Sequence, residues 1–565
     1  MEAASTKNDH EEPGNSKTEL INENEVQVSE IDTGSATTFT LSKKDGLLLL
    51  SLGSLSLMAA LDGTSISTAL PTMSQDLGGT AIEAFWTGTS FTLCSAVFQP
   101  VFSSLSNIFG RKLLVIIAII WFTIGAIVAG VANNITQMLV GRSLQGIGGG
   151  GIITLTAILI ADIVPLKHRA KYFGILSAIW SLGTVVGPVI GGCFAQKATW
   201  RWIFYINFPF IAIGTMLVAW STSFKHKSQS QLSFRAKLHQ IDYIGIALFV
   251  PSTASLLIPL TWGGVLFPWK SWHTLVPLLL GAAGLCTFAA YEIQIAKHPI
   301  IPPAVFYNRT ALISFLGFTA VGLIIWCNLY FLPLYYEAVK GFHPIMSGIA
   351  LFPETFTLAP SAMIIGFLIS RTGKYYWAVC LGWLVSTIGL GLLCLLDVET
   401  STVKWIFLNL IGGIGLGMVL PSVALAIQAS ARDENLAMAV AISTFFRGFG
   451  QSIGVAIGGV IFQNRMKSTM LSRPLLRSLA EQYSREASSA VEMIRAMPDG
   501  PLKQDVKWAY AHSLKYVWGF TCAVSGLIFF VSLFTKSYTL NRVGVSRSCE
   551  DLQVEVQVAE QDNKA

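Results

Sequence analysis

The segment Phe173–Cys193 reads FGILSAIWSLGTVVGPVIGGC. It is long enough to cross a bilayer, for which about 20 apolar residues suffice. Yet Gly183, Gly187, Pro188, Gly191 and Gly192 fall within ten residues of one another. In an ordinary helix interior a glycine costs about 1 kcal/mol and a proline about 3 kcal/mol. A membrane helix tolerates both where a neighbour packs on its bare backbone. Gly183, Gly187 and Gly191 recur every four residues and share one smooth face. Pro188 offers no N–H to the carbonyl of Thr184, which permits a bend. Such a helix suits a molecule whose two halves rock against each other; a merely tight helix crossing has the same spacing.

The rest of the chain has the same character. Its 565 residues are 52% hydrophobic and 12% charged, where a soluble domain carries about 25% charged residues. Apolar spans are expected at 45–70, 86–107, 112–132, 136–160, 172–194, 203–222, 242–262, 273–294, 311–334, 346–369, 376–396, 404–427, 437–462 and 516–536. Fourteen such spans predict an all-α polytopic membrane protein with both termini on one side. The net charge of +6 resides in short loops beside the membrane and leaves no nucleic-acid footprint. The eight cysteines fall singly, without disulfide or metal-ligand spacing, and nothing calls for a cofactor or metal. Residues 1–42 are polar and acidic, which reads as a disordered tail without a cleaved leader.

Lysine and arginine set the orientation. Arg111/Lys112, Lys167/Arg169/Lys171, Lys225/Lys227/Arg235/Lys237, Lys297/Arg309 and Arg371/Lys374 lie in loops on the side of the N-terminus, and the opposite short loops hold few. The positive-inside rule places both termini in the cytoplasm. Residues 463–515 then form a long external segment, with a surface helix expected in 475–497. An internal repeat joins the two halves: Ser103–Lys112 (SSLSNIFGRK) and Gly366–Tyr375 (GFLISRTGKY) follow spans two and ten with Leu, Gly and a basic residue in matching places. Repeated halves mark many secondary transporters. The expected organisation is a tail at 1–44, a six-helix bundle at 45–222, a loop at 223–241, an inserted pair at 242–294, a second bundle at 295–536 and a tail at 537–565.

Four motifs stand in order: Leu61-Asp62-Gly63-Thr64 with Ala69-Leu70-Pro71, the loop 103–112, Arg142-Ser-Leu-Gln145-Gly146, and the glycine-rich G-x-x-x-G-P-x-x-G-G of span five. Trp200–Asn207 (WRWIFYIN) and Arg447–Ala456 (RGFGQSIGVA) add to them. Over residues 45–540 the chain resembles the fourteen-helix drug:proton antiporter branch of the major facilitator superfamily, especially its fungal toxin and secondary-metabolite efflux pumps. The resemblance implies two six-helix bundles plus an inserted pair. It also implies export of a small amphipathic organic compound in exchange for protons, by a monomer in the plasma membrane. The cytoplasmic gate loop departs from the family pattern: Ser103 stands for the usual glycine and Asn107 for the usual aspartate. That leaves Asn107, Gly110, Arg111 and Lys112 as gate residues, with Asn107 free to cap the next helix but bringing no charge.

Ionisable groups inside the membrane cost roughly 2.5–3.5 kcal/mol and so need a partner or a task. Asp62 and Arg142 fall at similar depth in the same bundle and are candidates for proton coupling, since burial favours a neutral carboxyl and a nearby cation opposes it. A purely structural ion pair is the plainer account. Glu354 is a second proton or substrate candidate, with a helix-end carboxylate in a wet crevice as its alternative. Gln145 shares a face with Arg142, and Gln451 with Arg447, one turn apart; both faces suit a cavity lining. Gly146–Gly151 matches G-x-G-x-x-G but follows no strand, so it reads as helix packing. No G-x-x-x-x-G-K-[ST] occurs, which argues against a nucleotide-driven pump. All eight histidines lie outside the spans or at their edges, which argues against a membrane-embedded enzyme. A vacuolar basic amino-acid or siderophore carrier remains open on the same scaffold.

Overall fold

The computed structural model describes residues 42–78, 81–220, 233–263, 267–479, 490–538 and 540. Nearly all of the expected tail at 1–44, most of the tail at 537–565 and much of the loop at 223–241 lie outside the described residues. From Lys43 onward the described residues form fourteen long helices. They are α1 Lys43–Asp76, α2 Ala81–Phe109, α3 Arg111–Gly130, α4 Ile135–Ile163, α5 Leu166–Lys197, α6 Asn207–Trp220 and α7 Tyr243–Trp262. They continue with α8 Trp272–Gln294, α9 Arg309–Ala338, α10 Phe352–Thr372, α11 Tyr376–Leu393, α12 Thr402–Ser430, α13 Leu436–Leu471 and α14 Pro501–Ser532. Thirteen, α6 taken together with the turn Trp202–Tyr205 before it, are apolar and long enough to cross a membrane on their own composition. The exception is α2, which carries Thr92, Ser95 and Gln99 toward an internal cavity.

Helix ends differ from expectation where polar turns extend past the apolar run. Helix α5 begins at Leu166 rather than 172 and runs through Pro188 without interruption. Span six is a short turn, Trp202–Tyr205, followed by α6. Helix α13 extends to Leu471 and α14 starts at Pro501, so the expected external segment 463–515 shrinks to 472–500. The reason is packing: Val506, Ala509, Tyr510, Ala511 and Leu514 are buried, which extends α14 well beyond its hydrophobic stretch. Of the surface helix expected at 475–497, a 3-10 turn at Pro474–Leu479 and a helix at Ala490–Ala496 are described; the residues between lie outside the description.

Packing sorts the helices. Helix α1 packs on α5 and α6, and α4 on α2 and α3; α9 packs on α13, and α12 on α10 and α11. The two groups meet along two seams, α5 against α10 and α2 against α13. Helices α7 and α8 pack on each other, and α7 lies across the α2–α13 seam, with Leu93, Val97 and Leu257 buried together there. The glycine run of α4 is helix packing, as expected. A Cβ on Gly148 would meet Phe122 N of α3, and one on Gly150 would meet the Ser95 carbonyl of α2.

The internal repeat has a structural counterpart. Gly110 alone separates α2 from α3 at φ 94°, and Gly373 ends α10 at φ 67°. Both are left-handed positions that a side chain resists. At this end Arg111 closes the first turn: Nε meets Asp162 Oδ2 at 3.1 Å, while Nη1 donates to Ser106 Oγ at 2.5 Å and Asn107 Oδ1 at 2.6 Å. Asn107 therefore does not cap α3, contrary to expectation. It lies inside the last turn of α2, and Gly110 holds the N-cap position. The acidic partner of Arg111 is Asp162, near the end of α4. Lys112 donates to the Ala219 carbonyl at 3.1 Å.

At the opposite end, Asp397 in the turn after α11 accepts from Lys515 Nζ at 2.9 Å. Burial pushes its carboxyl up, but the Lys515 ammonium and the Val398 N–H outweigh that and hold it below the usual carboxylate value. A carboxyl held low adds stability above its unfolded value and loses it as the pH falls through the lowered one. The side chains are 30% and 47% exposed, so the pair is worth only about 0.2–1 kcal/mol. Wild-type Tm is expected to fall slightly more than that of Asp397→Asn once the pH drops below about 3.9. Parallel melting curves in detergent across roughly pH 3–6, the range of carboxylate titration, check this.

Candidate functional site

Asp62 sits in α1 facing α4, and both it and Arg142 have side chains fully shielded from solvent. Arg142 Nη1 meets Asp62 Oδ2 at 2.6 Å, and Asp62 Oδ1 accepts from Gln145 Nε2 at 2.7 Å and Asn207 Nδ2 at 2.8 Å. Arg142 Nε donates to the Thr87 carbonyl of α2 at 3.0 Å, and Nη1 also donates to Gln145 Oε1 at 2.6 Å. The guanidinium lies 4.4 Å from the centroid of Phe91. Nη2 of Arg142 has no partner among the described residues. Residues of α4 and α6 thus converge on the α1 carboxylate, while α2 holds Arg142 through Thr87 and Phe91. Gln145, expected on a cavity wall, is drawn instead into this cluster.

Sequence alone does not single out Asn207. It opens α6 directly after the break at Ile206, where an asparagine reads as an interfacial cap. Its burial and its bond to Asp62 come from tertiary packing. A motif signal does exist, since Asn207 closes the WRWIFYIN run.

A cavity lies beside this cluster, between the two helix groups. It measures about 100 Å³ and adjoins a second of about 70 Å³ that shares Trp180, Thr444 and Arg447 with it. Its walls include Phe91, Trp180, Trp326, Thr184, Arg447 and Gln451. Asp62 and Arg142 are not among the lining residues; Gly63 and Phe91 are. The carboxylate cluster and the cavity are therefore neighbours, and Phe91, against which Arg142 packs, is part of the cavity wall. Pockets for drug-sized ligands run to about 300–1,000 Å³, so in this conformation the walls are drawn together.

Glu354 occupies the first turn of α10, where Asn328 Nδ2 donates to its Oε1 at 2.6 Å. It is buried, not set in a wet crevice, and is absent from the cavity lining. Among the described residues no three His, Cys, Asp or Glu side chains are grouped to hold a metal ion.

The glycine face of α5 is turned inward. A Cβ on Gly183 would meet Ala60 Cβ of α1 at 2.6 Å, and one on Gly187 would collide with Thr64 Oγ1. Gly191 and Gly192 are buried on the same helix. The smooth face therefore seats α5 on α1 within its own bundle. Other positions meet the second bundle: Gly174 faces Ala362, and Ser181 Oγ donates to the Thr355 carbonyl at 2.6 Å. Pro188 lies against Gly348. Overpacking costs about 1–3 kcal/mol, so Gly187→Ala is expected to lower Tm by a clearly measurable step. Adding Thr64→Ala, which removes the blocking hydroxyl, is expected to recover most of it.

A family model described as Major Facilitator Superfamily matches residues 52–455. The chain belongs to that superfamily. It is a multi-pass membrane transporter, not an enzyme. Among its superfamily relatives, an MFS transporter named L2 from Phoma sp. is 52% identical over 492 residues, covering 87% of this chain and 82% of the relative. The MFS-type efflux pump LUC4 from Fusarium sp. is 37% identical, covering 87% and 88%. The efflux pump FUS6 of Gibberella fujikuroi is 36% identical, covering 87% and 89%. Among solved superfamily folds, the proton:xylose symporter XylE superposes with a TM-score of 0.52 at 13% identity, over 89% of this chain and 98% of that one.

Proposed function

We propose that this transporter is a proton-coupled exporter of an amphipathic organic compound, such as a toxin or secondary metabolite. The observation that carries the reading is the Asp62–Arg142 pair, shielded inside one bundle beside an interbundle cavity whose wall includes Phe91, the ring that Arg142 packs on. The Asp62 carboxylate is held by one arginine and two amides. It cannot both hold a proton and stay paired as an ion with Arg142, which lies 2.6 Å away. Uptake of a proton by Asp62 would release Arg142 and favour one orientation of the bundles; loss of the proton would restore the other. The relatives named as efflux pumps support the outward direction.

The bundles would be residues 45–222 and 295–536, rocking about the α5–α10 and α2–α13 seams, with residues 242–294 as the inserted pair. Both termini would be cytoplasmic and the membrane the plasma membrane, with the chain acting as a monomer. Arg447 and Gln451 would serve the cargo side, Glu354 would be a second proton group, and Asn107, Gly110, Arg111 and Lys112 would form the inner turn.

Purified protein in sealed liposomes tests this. An imposed acid-outside gradient is expected to drive lipophilic aromatic compounds out of the lumen, and a protonophore to stop it. Movement that ignores the gradient would overturn the coupling.

A further inference from the structure

Arg447 is the one charged residue among the described residues lining either cavity. Its guanidinium stands 5.7 Å from the Trp180 ring centroid, and it has no ion pair or hydrogen bond with any described residue. The other polar groups of the main cavity wall are neutral: Thr184, Gln99, Gln451, Ser177 and their like. The contrast with Arg142 is sharp, because Arg142 is neutralised by Asp62 and bonded to Thr87 and Gln145. An arginine cannot shed its charge at physiological pH, and a charge in the membrane interior calls for a partner. No acid among the described residues lines the cavity opposite Arg447.

We infer that the missing partner is the cargo: this site binds an organic anion, its planar carboxylate forked onto Arg447 and its aromatic or aliphatic body lying along Trp180, Phe91 and Trp326. The inference rests on the export reading above and names the substrate class for that same site. Guanidinium and carboxylate match as two parallel hydrogen bonds, which lysine does not reproduce. Trp180 belongs to α5 and Arg447 to α13, so an anion bound between them touches both bundles. Gln451, one turn along from Arg447, also lines the cavity and can donate to the same oxygens.

The test uses full-length protein in detergent with no gradient. The probes are naproxen and 1-pyrenebutyrate, each paired with its methyl ester, and the readout is ligand-induced thermal stabilisation. The expected result is apparent affinity for at least one acid some tenfold above that for its ester. In Arg447→Gln that preference falls below twofold while ester binding is kept, which also reports an intact fold. Arg447→Lys retains part of the preference. The proposal is overturned if neither acid is preferred over its ester, including the case of no saturable acid binding, or if the preference survives in Arg447→Gln. Because no proton gradient is present, these outcomes leave the export reading untouched. Conversely, acid preference without gradient-driven transport would sink only the export reading.

Discussion

Removing the Asp62 carboxylate is expected to abolish gradient-driven export, by about 100-fold or more, the scale on which loss of a positioned acid or base acts. The cleanest form is the double variant Asp62→Asn/Arg142→Gln, which buries no uncompensated charge. The asparagine side chain introduced there keeps a carbonyl for Gln145 or Asn207, whose donors lie 2.7 and 2.8 Å from Oδ1 in the native protein. The fold is therefore expected to survive while the proposed proton carrier is gone. Reconstituted double variant is expected to exchange cargo down its own gradient and to ignore an acid exterior. Full acid-driven transport by this variant would dismiss Asp62 as the coupling group.

Arg142→Gln alone is expected to have the larger effect on stability. Breaking a buried ion pair from one side costs about 3–5 kcal/mol, because the surviving charge stays desolvated. Here the survivor is a carboxylate shielded in the centre of four helices. Thr87 loses its side-chain donor from α4 and Phe91 its overlying cation as well. Adding Asp62→Asn is expected to restore most of the loss, so the pair is strongly non-additive. Thermal unfolding of the wild type, both single variants and the double variant supplies the cycle. Simple additivity would mean that the two groups act independently.

The architecture is legible in the sequence because a bilayer imposes its own length on every crossing. Spans stand out wherever twenty apolar residues run together, and their ends are misplaced where polar turns continue the helix, as at Leu166 and Pro501. Asp62 and Arg142 stand out as ionisable residues within apolar runs, and the structure brings them into contact. Their supporting cast is hidden for different reasons. The Thr87 acceptor is a backbone carbonyl, which no side-chain pattern reports. Asn207 and Asp162 sit at helix ends, where polar residues are ordinary. Helical spacing puts Gln145 on the face of Arg142 correctly, but spacing does not say which neighbour covers that face. The glycine stripe of α5 is plain in the sequence too, but that it seats on α1 rather than on the other bundle comes from tertiary packing, which spacing does not report.

The ring of Phe91 has a last consequence. Since Asp62, Arg142, Gln145 and Asn207 do not line the chamber that holds Arg447, ion and passenger, on the proposed reading, need never occupy one space. On that reading the engine and the hold would be separate rooms with a common wall. Substitutions that reshape the hold can thus retarget such a machine to new chemistry and leave its engine tuned.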